Sequence, residues 1–301
     1  MTLLRNLKQL VKDPGPEYAF EISEAGLAWT TPGDAPNFGL APFLDGELRV
    51  NPIEPNFHAP GTVARVLREA APPLARPHPR LAVLVLPDYC ARVAVLDFDS
   101  FPALAEEQSA LVRFRIKRTV PFDIEGALIA CHPQPRRDGS KKIDVVAVAI
   151  SREISEQYTS PFRAAGFQCG LITISGLAAL SLEDSQAEAP AQWMQVKRAG
   201  RVLSVCLVDR GALRLFRCVE LDHASVGEMV DILGPTLAYA EDELGARPSW
   251  VRLCGFPPDD RSGEAAAEEL GLPAGRAHSQ LGAAGAANSG LLGLLATGEV
   301  N

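Results

Sequence analysis

The stretch that decides the fold is residues 18–31, which read YAFEISEAGLAWTT. Two apolar, strand-forming runs flank a turn that contains an acid and a glycine, which is the pattern of a β-hairpin. Residues 202–220, VLSVCLVDRGALRLFRCVE, predict a second hairpin with the same ingredients. The shared acids and glycines are Glu21 with Gly26 in the first hairpin and Asp209 with Gly211 in the second. We interpret the two hairpins as matching places in the two halves of a duplicated chain.

The composition describes a globular chain with room for two cores. Its 301 residues are 47% hydrophobic, and a chain of this length buries about 75% of the surface that its unfolded form exposes. The formal net charge of -8 argues against nucleic acid as the main partner, because binding to phosphates needs a net basic face. Six cysteines without a CxxC pair favour buried, reduced thiols.

The first residues, MTLLRNLKQLVKD, place leucines at helical spacing and Arg5, Lys8 and Lys12 largely on the other face. This pattern favours packing against the rest of the protein, or a frayed terminus, over binding to an anionic membrane. The longest late apolar run, residues 291–296, is too short to cross a bilayer. We therefore expect a cytosolic chain.

Apolar runs and helical patterns follow the same order twice. The first half predicts three strands, a helix at residues 62–70 and a continuous apolar strand at 80–86, the last of these typical of a strand covered on both faces. The second half predicts a three-stranded meander, a helix with a capping box at Ser225 and a strand at 250–254. The sequence therefore predicts a repeated βββαβ order in two α/β lobes.

An insertion interrupts the first copy. Residues 88–98 predict a strand, Ser100 opens a helix that runs to about Arg118, and two further strands flank the exposed tip PQPRRDGSKK. The predicted boundaries are a first lobe at residues 1–185, an inserted subdomain at about 87–165, a linker at 183–191 and a second lobe at 191–301.

A repeated βββαβα unit with an insertion in the first copy is the pattern of the actin-like, ribonuclease H-like fold. Most of the chain resembles the PilM family of type IV pilus assembly, with the cytoplasmic domain of GspL from type II secretion as a related protein. The resemblance rests on FEISEAGLAW, LVLPDYCARVAVLDFDSFP, EEQSALVRFRIKRTVPFDIEGALIACHPQP, FRAAGFQCGLITISGLAAL, VCLVDRGALRLFRCVEL, WVRLCG and SGLLGLLA. It implies duplicated actin-like α/β lobes with an inserted α/β subdomain in the first lobe.

The resemblance also implies a nucleotide site at the two hairpin turns. In members of this superfamily that bind nucleotides, glycines let backbone N–H groups approach the phosphates and an aspartate orients metal-bound water. The corresponding residues in this chain are Glu21, Ser23 and Gly26 in the first turn, Asp209 and Gly211 in the second, and Gly255 after the strand at 250–254.

The first turn departs from the family pattern Asp-Ile-Gly-Ser, because this chain has Glu21, Ile22, Ser23 and Glu24 there. Ser23 adds a Cβ where close approach is wanted, and Glu24 adds a second carboxylate. An uncompensated like charge at about 4 Å costs about 4 kcal/mol at an effective dielectric of 20, which is a large part of a micromolar affinity. We expect a degenerate site without ATP or Mg²⁺ as a cofactor, and no enzymatic activity.

Two other functions stay open. An active nucleotide-binding ATPase of the same fold would use Asp209 and Gly211 as its second phosphate turn. A small-molecule kinase of the same superfamily would need a catalytic acid beside intact phosphate loops, and the sequence presents no such set. The five histidines show no metal-ligand spacing.

The function that the resemblance implies is that of a scaffold. In PilM-like proteins, a short cytosolic tail of the inner-membrane protein PilN is expected to bind between the insertion and the main lobe, through apolar anchors and backbone hydrogen bonds. This chain would then be peripheral to the inner membrane through a PilN-like partner. Self-association stays open.

A basic cluster near the end of the inserted helix is a second candidate for partner binding. Its members are Arg113, Arg115, Lys117 and Arg118. Cations at this end of a helix complement its dipole, so a solvated face is one interpretation, and contact with an acidic or membrane-proximal neighbour is the other.

Overall fold

The computed structural model describes residues 16–31, 37–71, 80–135, 142–182 and 190–297. The segments outside these ranges include the amphipathic N-terminal stretch, most of the predicted linker and the tip between the last two inserted strands. None of the helices in the described ranges has both the length and the apolar character needed to span a membrane.

The first lobe is built on a five-stranded sheet whose strand order is β3-β2-β1-β4-β8. Its strands are β1 (Tyr18–Ser23), β2 (Gly26–Thr31), β3 (Asn37–Pro42), β4 (Arg80–Leu86) and β8 (Phe167–Ile174). β1 pairs antiparallel with β2 and parallel with β4, and β4 pairs parallel with β8. The continuous apolar run of β4 therefore lies inside the sheet, as its sequence predicts.

Helices cover both faces of this sheet. The helices on one face are α1 (Thr62–Ala70) and α3 (Arg152–Ala164), and those on the other are α4 (Ser175–Ala178) and α7 (Ser289–Ala296). Phe20 and Leu84 point to the first face, where Tyr158 and Phe162 of α3 complete an aromatic core. Ala19 and the other alternate residues point to the second face, as the period of two along a strand requires.

The inserted subdomain is a three-stranded antiparallel sheet with one helix. It contains β5 (Arg92–Phe98), α2 (Ala105–Ile116), β6 (Leu128–Pro135) and β7 (Ile143–Ile150), and its strand order is β5-β7-β6. Val112 and Ile116 of α2 pack on one face of the sheet. On the other face, Val146 packs against Trp193 and Cys206 of the second lobe. The insertion therefore contacts both lobes.

Three predictions about the insertion are wrong. Asp88 lies in a short 3₁₀ turn, Asp88–Cys90, and not in the strand that follows. The helix begins at Ala105 and not at Ser100. The subdomain ends near Ile150 and not near residue 165, because α3 packs into the core of the first lobe.

The second lobe repeats the topology of the first. Its elements are β9 (Gln192–Ala199), β10 (Val202–Asp209), β11 (Ala212–Glu220), α5 (Val226–Leu244), β12 (Val251–Cys254), α6 (Ser262–Glu269) and β13 (Ala274–Arg276). The strand order β11-β10-β9-β12-β13 matches that of the first sheet, strand for strand. Ser225 caps α5 by accepting a hydrogen bond from the Glu228 N–H, as predicted. The predicted duplication is confirmed.

The topology corrects the way in which the two hairpins correspond. β1 and β9 occupy the same central place in their sheets, so the counterpart of the β1–β2 hairpin is β9–β10, with its turn at Gly200. The hairpin at residues 202–220 is β10–β11, which corresponds to β2–β3. The prediction that it matches residues 18–31 is wrong.

The last helix returns to the first lobe. After the short strands β14 (His278–Ser279) and β15 (Gly282–Ala283), α7 packs against β1, β4 and α4. Two glycines permit this close approach: a Cβ at Gly290 would lie 2.8 Å from the Ser175 Cα, and one at Gly293 would lie 2.2 Å from the Ala178 carbonyl oxygen. The predicted second lobe, residues 191–301, therefore includes a helix that completes the first.

The glycines of two helices give opposite predictions for stability. Gly293→Ala should lower the free energy of unfolding by several kcal/mol, because the new methyl group would overlap the backbone of α4. Gly227→Ala in α5 should raise it by about 0.5 kcal/mol, because a Cβ there would meet no atom within 4 Å and alanine is the better helix former. Urea unfolding of both variants tests the pair, and a stable Gly293→Ala would contradict the close packing of α7.

Candidate functional site

The candidate site lies where the central strands of the two lobes end. Ser23 pairs with Gly26 across the first turn, and Ala199 pairs with Val202 across its counterpart. Counting back two residues along each strand places Lys197 in the second lobe at the position that Glu21 holds in the first. The duplicated fold therefore brings an acid and a base together at equivalent places.

Glu21 is buried and accepts two hydrogen bonds from the first lobe and the returning helix. The Ser175 hydroxyl donates to its Oε1 at 2.5 Å, and the Leu291 N–H donates to its Oε2 at 2.7 Å. The Leu291 N–H lies in the first turn of α7, where backbone N–H groups lack partners within the helix. The predicted site acid is thus fully used inside the protein.

Asp88 and Lys197 form a buried ion pair between the lobes. The Lys197 ammonium lies 3.1 Å from the Asp88 Oδ2, and both side chains are 1% exposed. The Ser204 hydroxyl donates to the same oxygen at 2.8 Å, and the Gly176 N–H donates to the Asp88 Oδ1. Asp88 therefore connects the entry of the insertion, the first lobe and two strands of the second lobe.

The charges of this cluster are coupled. Burial raises the pKa of Glu21 above its ordinary value, although the Lys197 charge and the hydrogen bonds from Ser175 and Leu291 oppose the rise. Burial alone would lower the pKa of Lys197, but the carboxylates of Asp88 and Glu21 outweigh it, and the pKa of Lys197 is raised. The lysine is therefore a fixed cation between two acids.

The first turn is shaped by its own contacts. The Ser23 hydroxyl donates to the Gly26 carbonyl oxygen at 3.5 Å, and a Cβ at Gly26 would lie 2.3 Å from the Ala41 carbonyl oxygen. The Val50 N–H donates to the Glu24 Oε1 at 3.2 Å, and the other Glu24 oxygen faces Gly200 of the opposite turn. The extra carboxylate thus stands in the gap between the two turns.

Gly255 ends β12 at the same side of the molecule. It adopts a φ of 76°, and a Cβ there would lie 2.2 Å from the Arg198 carbonyl oxygen. Arg198 also pairs with Asp260 at 2.6 Å and lies over the Phe256 ring. The loop that follows Gly255 is therefore held by side chains of the second lobe.

Asp209 and Gly211 lie at the other end of the second sheet. Asp209 is opposite Gln192 in β9, five residues from Lys197, which corresponds to roughly 16 Å along a strand. Gly211 has a φ of 80° in a tight turn, and the preceding Arg210 is also left-handed at 50°. The structure does not bring these two residues to Glu21, Ser23, Gly26 and Gly255.

The space between the turns is small. A cavity of about 20 Å³ is lined by residues of both turns together with Glu21, Asp88 and Lys197. Pockets that bind small molecules enclose about 300–1,000 Å³, whereas a cavity of about 10–15 Å³ on this measure holds a single water. Among the described residues, no cluster of acids, histidines and cysteines has metal-binding geometry.

A much larger groove lies between the insertion and the first lobe. Its volume is about 740 Å³, and its walls include Leu128 of β6, Thr159 of α3, and Phe167, Cys169 and Ile172 of β8. β6 and β8 are each the last strand of their sheet. The groove therefore runs beside strand edges with unpaired backbone groups.

The basic cluster of the inserted helix lies outside the groove walls. Arg113 points inward, where its guanidinium donates to the carbonyl oxygens of Ile124 and Ala127, so it is a structural residue. The side chains of Arg115, Lys117 and Arg118 are exposed. Three of the four predicted cations, Arg115, Lys117 and Arg118, are therefore available on the surface, and Arg113 is not.

The site residues predicted from the sequence do not include four members of the buried cluster, Asp88, Lys197, Ser175 and Ser204. One signal was available: a lysine in the apolar strand QWMQVKRA, two residues before Ala199 and Gly200, is unusual for a strand buried on both faces. Asp88 gave no such signal, since its partners come from residues about 90 to 115 positions later in the chain.

The chain has two lobes of identical strand order that meet at the ends of their central strands, and a subdomain interrupts the first lobe. This arrangement defines the actin-like fold. No protein-family model matches the chain. No curated protein matches its sequence. The likeness to known proteins therefore comes from solved structures.

The chain is similar to the structure described as the PilM-PilN type IV pilus biogenesis complex, with a TM-score of 0.76 at 18% identity over 96% of this chain and 100% of that one. A Bacteroides thetaiotaomicron protein with an actin-like ATPase fold and unknown function matches at 0.49 and 12% identity, over 85% and 88%. The cytoplasmic domain of EpsL, an inner membrane component of the type II secretion system of Vibrio cholerae, matches at 0.47 and 11%, over 84% and 93%. The fold implied by the PilM resemblance is confirmed.

Removal of the central cation should destabilise the protein in a pH-dependent way. In Lys197→Met, Glu21 and Asp88 remain buried without a counter-charge, which should cost about 3–5 kcal/mol of unfolding free energy near neutral pH. A carboxyl whose folded pKa is raised stabilises the fold below its unfolded pKa and loses that contribution as pH rises. The loss in the variant should therefore be larger at pH 8 than at pH 5.

Urea unfolding at both pH values measures this effect. Lys142→Met is the matched control, because Lys142 pairs with Asp97 at a half-exposed position and surface pairs contribute less than about 1 kcal/mol. Equal losses in the two variants, or no dependence on pH, would show that Lys197 does not neutralise the two acids.

Proposed function

We propose that this chain is a cytoplasmic scaffold of a type IV pilus or related secretion machine that binds the N-terminal tail of a PilN-like inner-membrane protein. The observation that carries the proposal is the groove of about 740 Å³ beside β8 and β6. The likeness to the PilM chain of a PilM-PilN complex supports the choice of partner. On this proposal the chain is peripheral to the inner membrane.

The groove has the features that an extended peptide needs. Backbone groups on the free edge of β8 can form a ladder with an added strand, and Phe167, Cys169 and Ile172 offer an apolar wall for alternate side chains. Glu156 and Arg163, which pair at 2.8 Å across the α3 side of the groove, give polar ends to the site. An apolar tail with a few polar residues fits this lining.

The two faces of β8 supply a matched pair of test positions. Ile172 pairs with Leu84 and shares its face with α3 and the groove, whereas Leu171 pairs with Val83 on the opposite face. Their exposures are nearly equal, at 42% and 41%. A substitution at Ile172 therefore tests the groove, and the same substitution at Leu171 tests general effects.

Ile172→Glu should weaken binding of the tail about tenfold or more, because a carboxylate in an apolar contact remains without a partner. Fluorescence anisotropy with a labelled peptide of the N-terminal tail of a PilN-like protein from the same organism gives the affinity. Leu171→Glu should bind like the unaltered protein. Failure of the unaltered chain to bind the tail, or equal weakening by both variants, would overturn the groove assignment.

We also propose that the cleft between the lobes does not bind a nucleotide and that the chain is not an ATPase. A cavity of about 20 Å³, the Lys197 ammonium between Glu21 and Asp88, and the Glu24 carboxylate against Gly200 support this view. The alternative of an active ATPase would require these groups to move apart. The kinase alternative would require the same opening and a free catalytic acid, whereas both buried acids are used internally.

Titration with a fluorescent ATP analogue and Mg²⁺ tests the closed cleft. We expect no saturable binding in the micromolar range, because the charge cluster would have to open before a triphosphate could enter. Saturable micromolar binding that is lost in Glu21→Ala and kept in Asp209→Ala would place a nucleotide in the cleft. That result would favour the ATPase alternative.

A further inference from the structure

The C-terminal end of α2 presents an aromatic side chain to solvent among cations. Phe114 is 79% exposed, the highest value among the large hydrophobic side chains of the described residues. Lys117 and Arg118 follow it by three and four positions, in the turn that directly continues α2. Neither cation forms an ion pair within the described ranges. The most exposed large hydrophobic side chain of the described residues therefore lies beside two cations.

The same surface continues onto the base of the β6–β7 hairpin. Arg115 contacts the Asp97 carboxylate at 3.5 Å, and Lys142 contacts it at 2.7 Å. The end of α2 and the start of β7 are thus adjacent. We name Phe114, Arg115, Lys117, Arg118 and Lys142 the basic aromatic surface.

The charge of the insertion differs from that of the rest of the chain. Residues 92–150 contain nine arginines and lysines against eight aspartates and glutamates, a net charge of +1, although the whole chain carries -8. The remaining residues therefore carry -9 and are repelled by any anionic surface. The insertion is repelled less than those residues taken together, and its basic aromatic surface is the part of it that an anionic surface attracts.

We propose that the basic aromatic surface docks on an anionic phospholipid bilayer. The phenyl ring would enter the boundary between headgroups and acyl chains, while the cations would contact lipid phosphates. This inference adds to the proposed function, since a scaffold that holds the tail of an inner-membrane protein lies within reach of the bilayer. Exposed cations beside an exposed aromatic ring are the combination with which interfacial segments bind anionic lipid, which favours a lipid surface over an acidic protein.

Binding to vesicles tests the proposal on the full chain. The unaltered protein should sediment with vesicles of phosphatidylglycerol and phosphatidylcholine in equal parts, and not with phosphatidylcholine alone. Binding should fall as salt rises, because the Debye length shortens from about 10 Å at 0.1 M to about 3 Å at 1 M. Lys117→Gln with Arg118→Gln should lower the partition coefficient roughly 30-fold, since each basic residue at such a surface contributes about fivefold.

A matched control separates this surface from net charge. Arg68→Gln with Arg247→Gln removes the same charge at two exposed positions outside the insertion, and should leave vesicle binding nearly unchanged. Phe114→Ala should weaken binding without changing its salt dependence. Affinity for the tail peptide, measured on the same variants, should not change, so failure of this inference and failure of the groove are distinguishable.

Three results would overturn the proposal. The first is no binding to anionic vesicles at low salt. The second is equal loss in the two charge-neutralised pairs, which would point to net charge or to the amphipathic residues 3–12. The third is binding to poly-glutamate but not to vesicles, which would assign the surface to an acidic protein.

Discussion

The arrangement of the two lobes depends on one buried cation. Lys197 stands at the position of the second lobe that corresponds to Glu21 in the first, and its ammonium contacts Asp88 where the insertion begins. Taking a lysine out of water costs several kcal/mol unless acids surround it, so the lobes are most stable when they hold Glu21 and Asp88 against it. Because the fold is duplicated, Glu21 and Lys197 occupy equivalent positions in the two lobes. Acids at both positions would repel each other, whereas an acid in one lobe and a base in the other attract.

This exchange has a consequence for the rest of the molecule. A cleft held closed by its own side chains has little space for a ligand, whereas the outer strands of the first lobe and the insertion keep free edges beside a wide groove. The buried cluster fixes the position of Asp88, and Asp88 is followed directly by β5 of the insertion. The buried cluster thus anchors the start of the insertion, whose strand β6 at the other edge of its sheet lines the groove.

Much of the fold could be predicted from the sequence, and less of the site. The apolar run of β4, the capped helix after Ser225 and the repeated order of elements are local signals with local causes. The correspondence of the hairpins was not local: β10–β11 has an acid and a glycine like the first turn, whereas the true counterpart, at Gly200, has no acid. Only strand order, which depends on long-range pairing, distinguishes them. Lys197 and Asp88 meet for the same reason, over 109 residues of intervening sequence.

The two proposed binding surfaces, the groove and the basic aromatic surface, lie outside the cleft, and the distribution of charge is one reason. The buried cluster in the cleft contains two acids and one base, Glu21, Asp88 and Lys197, so it offers no net positive charge to an anion. Lys117 and Arg118, which form no ion pair within the described residues, follow the exposed end of α2 on the insertion. The tail in the groove and the basic aromatic surface on lipid would each bind weakly alone. When both engage the same membrane, the second contact becomes intramolecular. Its effective concentration then rises to the millimolar range for a short linker. On the functions proposed for this chain, the insertion is therefore the element that couples membrane and partner, and the closed lobes are the rigid body that keeps the two surfaces at a fixed distance.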